Sequence, residues 1–224
     1  MCWNIESSRN AYIIGTIASI ILLVYGDNVD KNIGVLCLTV VQMQLIEYFI
    51  WKDQSCGSMN NYASKMIVPE LILQIVAMVG GSYFFHSSTL SQTEVWNLFS
   101  IVLIVAVITI GINFYVTSNE TLCSQRICNT GILWEVGEMN IINGKTFASN
   151  LWNIFYFGVL ILYPIFWKSD LKKYVYITIA SCSLIWIHYK NQITWQSRWC
   201  YPAAFTPIIF IVIMILQQNR YIRT

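Results

Sequence analysis

The chain has 224 residues, 56% of them hydrophobic and 11% charged, with a formal net charge of +2, and its mean hydropathy is +0.56. Soluble domains carry about 25% charged residues, so this composition lacks the polar surface that a water-soluble globule needs. Its basic residues are scattered, which excludes a nucleic-acid-binding stripe, and Gly80-Gly81 sits inside an apolar run with no phosphate-loop spacing.

Seven apolar runs follow in chain order, over residues 10–25, 33–51, 66–85, 95–117, 150–167, 174–189 and 200–217. Each has, or nearly has, the roughly 20 residues a helix needs to cross about 30 Å of hydrocarbon. The runs are continuous and not alternating, which predicts helices and not a β-barrel. The expected fold is an all-α integral membrane protein: one domain over 1–224, a bundle of seven transmembrane helices with an extramembrane loop or lid at 118–149. The first and sixth runs are the shortest, and losing either would leave six spans. The start MCWNIESSRN has neither the basic flank nor the early apolar core of a cleavable signal, so the first run is expected to direct insertion. Gly80-Gly81 fits small-residue packing between helices, and many of the nine tryptophans fall at run ends, as interfacial belts require.

Basic residues nearly tie across the membrane: Arg9, Lys52, Lys65, Arg126, Lys145, Lys190 and Arg198 on the N-terminal side, and Lys31, Lys168, Lys172, Lys173, Arg220 and Arg223 on the other. The second group is denser, in the very short loop Lys168 to Lys173 and after the last run, which favours it as cytoplasmic. Cys2, Cys56, Cys123, Cys128 and Cys200 all map to the N-terminal side, as disulfides in an oxidising compartment would. Asn119-Glu120-Thr121 on that side is a glycosylation sequon. The expected orientation is N-terminus outside or lumenal, C-terminus cytoplasmic.

Ionisable residues inside membrane spans are costly and mark functional candidates. Here they are Glu47, Glu70 and His188, with Gln44, Gln74, Asn113 and Tyr156 nearby, all toward the N-terminal side. Gln44, Glu47 and Trp51 share one helix face, Gln42 points elsewhere, and Glu70 and Gln74 make a second stripe. The pattern predicts a polar pocket opening outward, with Arg198 and Trp199 at its edge. If Glu47 and Glu70 approached closely they would form an acid/base pair. If His188 joined them they could hold a divalent metal and activate water. In the structural alternative, the carboxylates pair with Arg9, Lys65 or Arg198 and the amides bond across helices. His86, after Phe84-Phe85, reads as interfacial. The inner halves of runs two to seven read as almost wholly apolar, unlike a channel or transporter.

In the long loop, Cys123 and Cys128 could close a small ring, and 131–136 with 139–142 could form a hairpin over the pocket. A short interfacial helix is the competing form. Either would be a lid with Trp134, Glu135 and Glu138 as its polar contacts.

Met1-Cys2-Trp3-Asn4-Ile5-Glu6-Ser7-Ser8, the Gln44-x-x-Glu47-x-x-x-Trp51 pattern and Ser197-Arg198-Trp199-Cys200 before the last run together resemble an uncharacterised family of multi-pass membrane proteins of bacteria and large DNA viruses. The chain departs from it at Asn4, Tyr48 and Pro202. The family carries no assigned function. The resemblance singles out Cys2, Trp3, Gln44, Glu47, Trp51, Trp199 and Cys200, which the topology independently puts on one face. It implies a Cys2 to Cys200 disulfide, with Cys56 as the alternative partner for either.

A retinal protein needs a Schiff-base lysine in its last span, and 200–217 has none; a seven-span hydrolase of the ceramidase type needs several histidines, and the chain has two. The functional expectation is a membrane protein, in contact with lipid and not nucleic acid, whose outward pocket binds a small or lipidic molecule. The alternatives are a membrane-embedded hydrolase acting on a lipid head group and a structural viral or cellular membrane protein with no ligand. Whether it is an enzyme stays open, and no cofactor is strongly implied.

Overall fold

The computed structural model describes residues 4–127, 131–136, 147–190, 194–219 and 221, with the backbone alone at 147–153, 188, 190, 195 and 196. Helix α1, Ile5–Tyr25, starts where the Asn4 side chain accepts the Ser7 N–H at 2.9 Å, supplying an acceptor for one of the N–H groups a helix start leaves unpaired. Its inward stripe is small, with Ala11, Gly15 and Ala18. A side chain at Gly15 would lie 2.4 Å from Val41 and 2.5 Å from the Ala204 carbonyl, so glycine lets two neighbouring segments close onto α1.

Helices α2, Asn28–Val40, and α3, Gln42–Lys52, form one rod broken at Val41. At the break the side chains of Thr39 and Gln42 hydrogen-bond the carbonyls of Leu36 and Leu38, a side-chain intrusion of the kind that bends helices. Helix α4, Ser58–Phe84, is the most enclosed of the long helices, and α5, Gln92–Thr117, turns most of its surface outward. Gly80 and Gly81 serve α4 on two sides: a side chain at Gly80 would meet Phe99 of α5, and one at Gly81 would overlap Asn32 of α2. The small-residue packing expected of this pair is what the helices do.

Strands β1, Gln125–Ile127, and β2, Gly131–Leu133, pair antiparallel with Arg126 opposite Ile132. Next come α6, Phe147–Leu162, a 3-10 turn at Tyr163–Phe166 that contains Pro164, α7, Asp170–Lys190, α8, Trp195–Ala203, and α9, Thr206–Gln218. Among the described residues five helical segments are long and apolar enough to cross a membrane: Ile5–Tyr25, Asn28–Lys52, Ser58–Phe84, Gln92–Thr117 and Ser197–Gln218. The sequence expectation of seven is thereby met for five. The fifth run yields α6, whose described side chains form an apolar stretch over Ile154–Phe166 that continues through the 3-10 turn. The sixth yields α7, whose first turn holds Asp170, Lys172 and Lys173.

Candidate functional site

Glu47 is 3% exposed and Gln44 is fully buried on the same face of α3. The Gln44 amide donates to Glu47 Oε2 at 3.3 Å, and the Trp134 indole N–H donates to Oε1 at 3.2 Å. The Ser197 hydroxyl of α8 is a further donor to the same carboxyl group. Glu47 therefore ties together α3, α8 and the segment that leaves β2, all through neutral donors.

That segment is positioned by Asn60 in the first turn of α4. Its amide donates to the carbonyls of Asp53, at 2.8 Å, and Ser124, at 2.9 Å, while its oxygen accepts the Ser124 N–H at 2.9 Å. Ser64 adds a 2.8 Å hydroxyl contact to Ser124, whose hydroxyl accepts the Glu135 N–H at 2.9 Å. A disulfide joins Cys56 to Cys123, with Cα atoms 5.1 Å apart. This corrects two sequence expectations. Cys123 is bonded to Cys56 and so closes no ring with Cys128, and Cys200 is a free buried thiol, not the partner of Cys2. Cys2 and Cys128 lie outside the described residues. Sequence spacing favoured the nearer cysteine, but the Asn60 hub brings Cys123 back to the α3–α4 turn. Residues 131–133 pair antiparallel with β1, a strand the sequence reading did not anticipate; the partner expected at 139–142 lies outside the described residues. Residues 137–146, including Glu138, lie outside the described residues.

A second buried carboxyl group, Glu70, is 7% exposed, and Gln74, one turn on, is fully buried. The Tyr156 hydroxyl of α6 donates to Gln74 Oε1. Glu70 Oε1, Gln74 Nε2, Gln44 Oε1 and the Trp51 indole nitrogen are buried without a hydrogen-bond partner among the described residues. Glu47 and Glu70 both lie close enough to the Cys200 thiol, and Glu70 to Tyr156, to interact electrostatically. The two carboxyl groups thus flank one buried region. Trp199 borders that region, its indole N–H donating to Ser183 at 3.0 Å.

Other predicted site residues do different work. Asn113 is 2% exposed and donates to the Lys65 carbonyl at 3.2 Å. Pro69, four residues after Lys65 in α4, has no N–H to offer that carbonyl, so Asn113 replaces a lost backbone bond and does not face the carboxyl groups. Arg9 bonds Asn10 and Lys65 reaches the Ser118 carbonyl, so neither is the cation expected for Glu47 or Glu70. Arg198 is half-buried on α8, its Cγ 3.6 Å from where a side chain at Gly131 would begin. His188 is in α7, its side chain outside the described residues. Among the described residues no three of His, Cys, Asp and Glu gather as a metal site.

The opposite end of the bundle holds charge that the sequence reading did not single out. Lys172, fully buried, places Nζ 2.6 Å from Asp27 and 2.8 Å from Asp30, and Asp30 is 1% exposed. Asp27 and Asp30 also form the capping box of α2. Burial pushes the Asp27 carboxyl up, but the Lys172 ammonium and the N–H groups of Asp30 and Val29 outweigh it and hold the carboxyl below its ordinary value. Beside this triad Asn32 donates to Ser82 at 2.8 Å and Ser87 at 3.0 Å. Asp27, Asp30, Asn32 and Lys172 flank the predicted runs 33–51 and 174–189 and lie outside them. Asp-x-x-Asp ahead of an apolar run was the available signal; Lys172 read as an ordinary loop charge.

No protein-family model matches the chain, and neither a curated protein nor a solved structure shows significant similarity to it.

Proposed function

We propose that this chain is a seven-span membrane protein that binds a small or lipidic molecule in the half of the bundle nearest its N-terminus. The five long apolar helices, with α6 and α7 as the two remaining crossings, support the span count. The carrying observation is the pair of buried carboxyl groups: among the described residues Glu47 is met only by neutral donors, and Glu70 keeps an oxygen with no donor. A carboxyl group is too costly to bury without a partner, and a ligand's donor would supply one. The Cys56–Cys123 disulfide and the hairpin lie over the same end, which supports an outside or lumenal location for it. The resemblance through Gln44, Glu47, Trp51, Trp199 and Cys200 belongs to this reading.

The test is to purify the full chain in mild detergent, extract it with organic solvent and identify co-purifying molecules by mass spectrometry, beside Glu47→Gln and Glu70→Gln. A species retained by the parent protein and depleted in a variant that elutes normally on gel filtration is the expected result. Equal lipid content in all three proteins overturns the reading. For orientation, an impermeant thiol reagent applied to intact cells should label Cys56 and Cys123 only after reduction; labelling from the cytosolic side alone overturns it.

A further inference from the structure

Between α3 and α4 a cavity of about 530 Å³ opens sideways, a size typical of small-molecule sites. Its walls are Phe49, Met59, Tyr62 and Met66, all exposed at the surface, with the small Ala63 in the floor. It begins at Ser58 and ends at Gln42 and Glu70, about 18 Å along α4 at 1.5 Å per residue. A groove that opens through exposed aromatic and Met side chains on a membrane-spanning helix is entered from the lipid, not from water. Glu70, 7% exposed, is part of the lining, and its buried Oε1 has no donor among the described residues.

The chemistry of the lining selects the occupant. The lining residues include one carboxyl group and no lysine, arginine or histidine, so a phosphate or carboxylate head would meet like charge. A primary ammonium head would instead supply both opposite charge and hydrogen-bond donors to Glu70, and a single apolar chain would cover the aromatic and Met walls. We propose that the α3–α4 groove is a lateral entry site for an amine-bearing single-chain amphiphile whose ammonium pairs with Glu70. This rests on the reading of the N-terminal half of the bundle as ligand-binding, and it adds the route and the ligand class.

The experiment uses the full chain in phosphatidylcholine nanodiscs, with radiolabelled dodecylamine as the probe, read by saturation binding. Dodecanoic acid and dodecanol serve as competitors. Saturable binding at one site, displaced by unlabelled dodecylamine and not by dodecanoic acid, is expected. Glu70→Gln should weaken it by about tenfold or more, the loss of one charge-assisted bond, and Ala63→Trp should abolish it by filling the floor. Glu70→Gln alters a buried carboxyl group and Ala63→Trp enlarges a buried side chain, and melting temperature in the nanodisc reports the fold of each. Displacement by dodecanoic acid or dodecanol as readily as by the amine overturns the amine class alone. Dodecylamine binding unchanged in both variants overturns the groove while leaving a ligand site elsewhere in that half. If the probe does not bind, but retained lipid is still lost from Glu70→Gln in the extraction experiment, the inference fails and the broader reading survives. Oxidative cross-linking of Tyr62→Cys into a dimer that excludes the probe assigns the groove to a second copy and overturns the proposal.

Discussion

Where α1 turns into α2, Lys172 is fully buried between Asp27 and Asp30, at 2.6 and 2.8 Å; at the other end of the bundle Glu47 is equally enclosed but receives only an amide, an indole and a hydroxyl. In the first arrangement the buried cation meets two carboxyl groups at contact distance, and α7 is thereby fastened to the α1–α2 turn. Among the described residues no cation meets the second, and Glu70 goes further by keeping an oxygen without a donor. Charge compensated in place serves structure. Charge left to dipoles, beside an open groove, is suited to a ligand.

The largest effect should come from breaking the compensated end. Lys172→Met leaves Asp30 buried with no cation, and removing one partner of a buried ion pair costs about 3–5 kcal/mol. Thermal unfolding in detergent should show a drop of that order, and adding Asp27→Asn and Asp30→Asn to the same protein should recover most of it. Equal losses in the single and triple variants would show that the triad does not fasten α7. Next in size is the disulfide, which links positions 67 residues apart. Cys56→Ser or reduction should cost about 2–5 kcal/mol and expose 118–136 to protease. Alkylation followed by intact mass should modify Cys56 and Cys123 only after reduction, with the buried Cys200 protected until the protein unfolds.

A smaller change probes the neutral-donor end itself. Trp134→Phe keeps an aromatic ring, though a smaller one, and removes one of Glu47's donors, which should cost about 1–3 kcal/mol. The penalty should shrink when Glu47→Gln is also present, because an amide can be left short of a donor more cheaply than a carboxylate. A double-mutant cycle of melting temperatures tests this; strict additivity would mean that the lid is not latched through Glu47.

How much of this the sequence disclosed depends on the range of the interaction. Hydropathy marks the apolar runs because crossing lipid is a property of a segment taken alone, and helical spacing put Gln44 with Glu47 because they are three residues apart. Glu70 and Gln74 emerged the same way. Pairings between distant segments did not. Cys123 joins Cys56 because Asn60 and Ser64 bind Ser124, a link across about 60 residues that no local pattern records. Asn113 read as a pocket residue although it serves the carbonyl orphaned by Pro69, and Lys172 read as a cytoplasmic loop charge although two aspartates enclose it. In each case the residue type was noticed and its partner was not, since the partner is chosen by tertiary packing.

The smallest expected effect is acid dependence at the α3–α4 turn, where Asp53 is held by neutral donors in the open. Its carboxyl lies below its ordinary value of 3.8 because it accepts the Asn60 N–H, the Ser55 hydroxyl and the Gly57 N–H. A group with a depressed folded value contributes stability that is full above the unfolded value and fades as pH falls through the folded one. The turn should therefore be insensitive to Asp53 titration above about pH 4 and loosen only in stronger acid. Protection of the Gly57 and Asn60 amides in hydrogen exchange measures it locally. Asp53→Asn should lower that protection at neutral pH and remove its acid dependence, while amides around Lys172 stay unchanged. Loss of protection spreading to the Lys172 end would mean that the two ends are one cooperative unit, and their different ways of burying charge could then no longer be assigned to separate tasks.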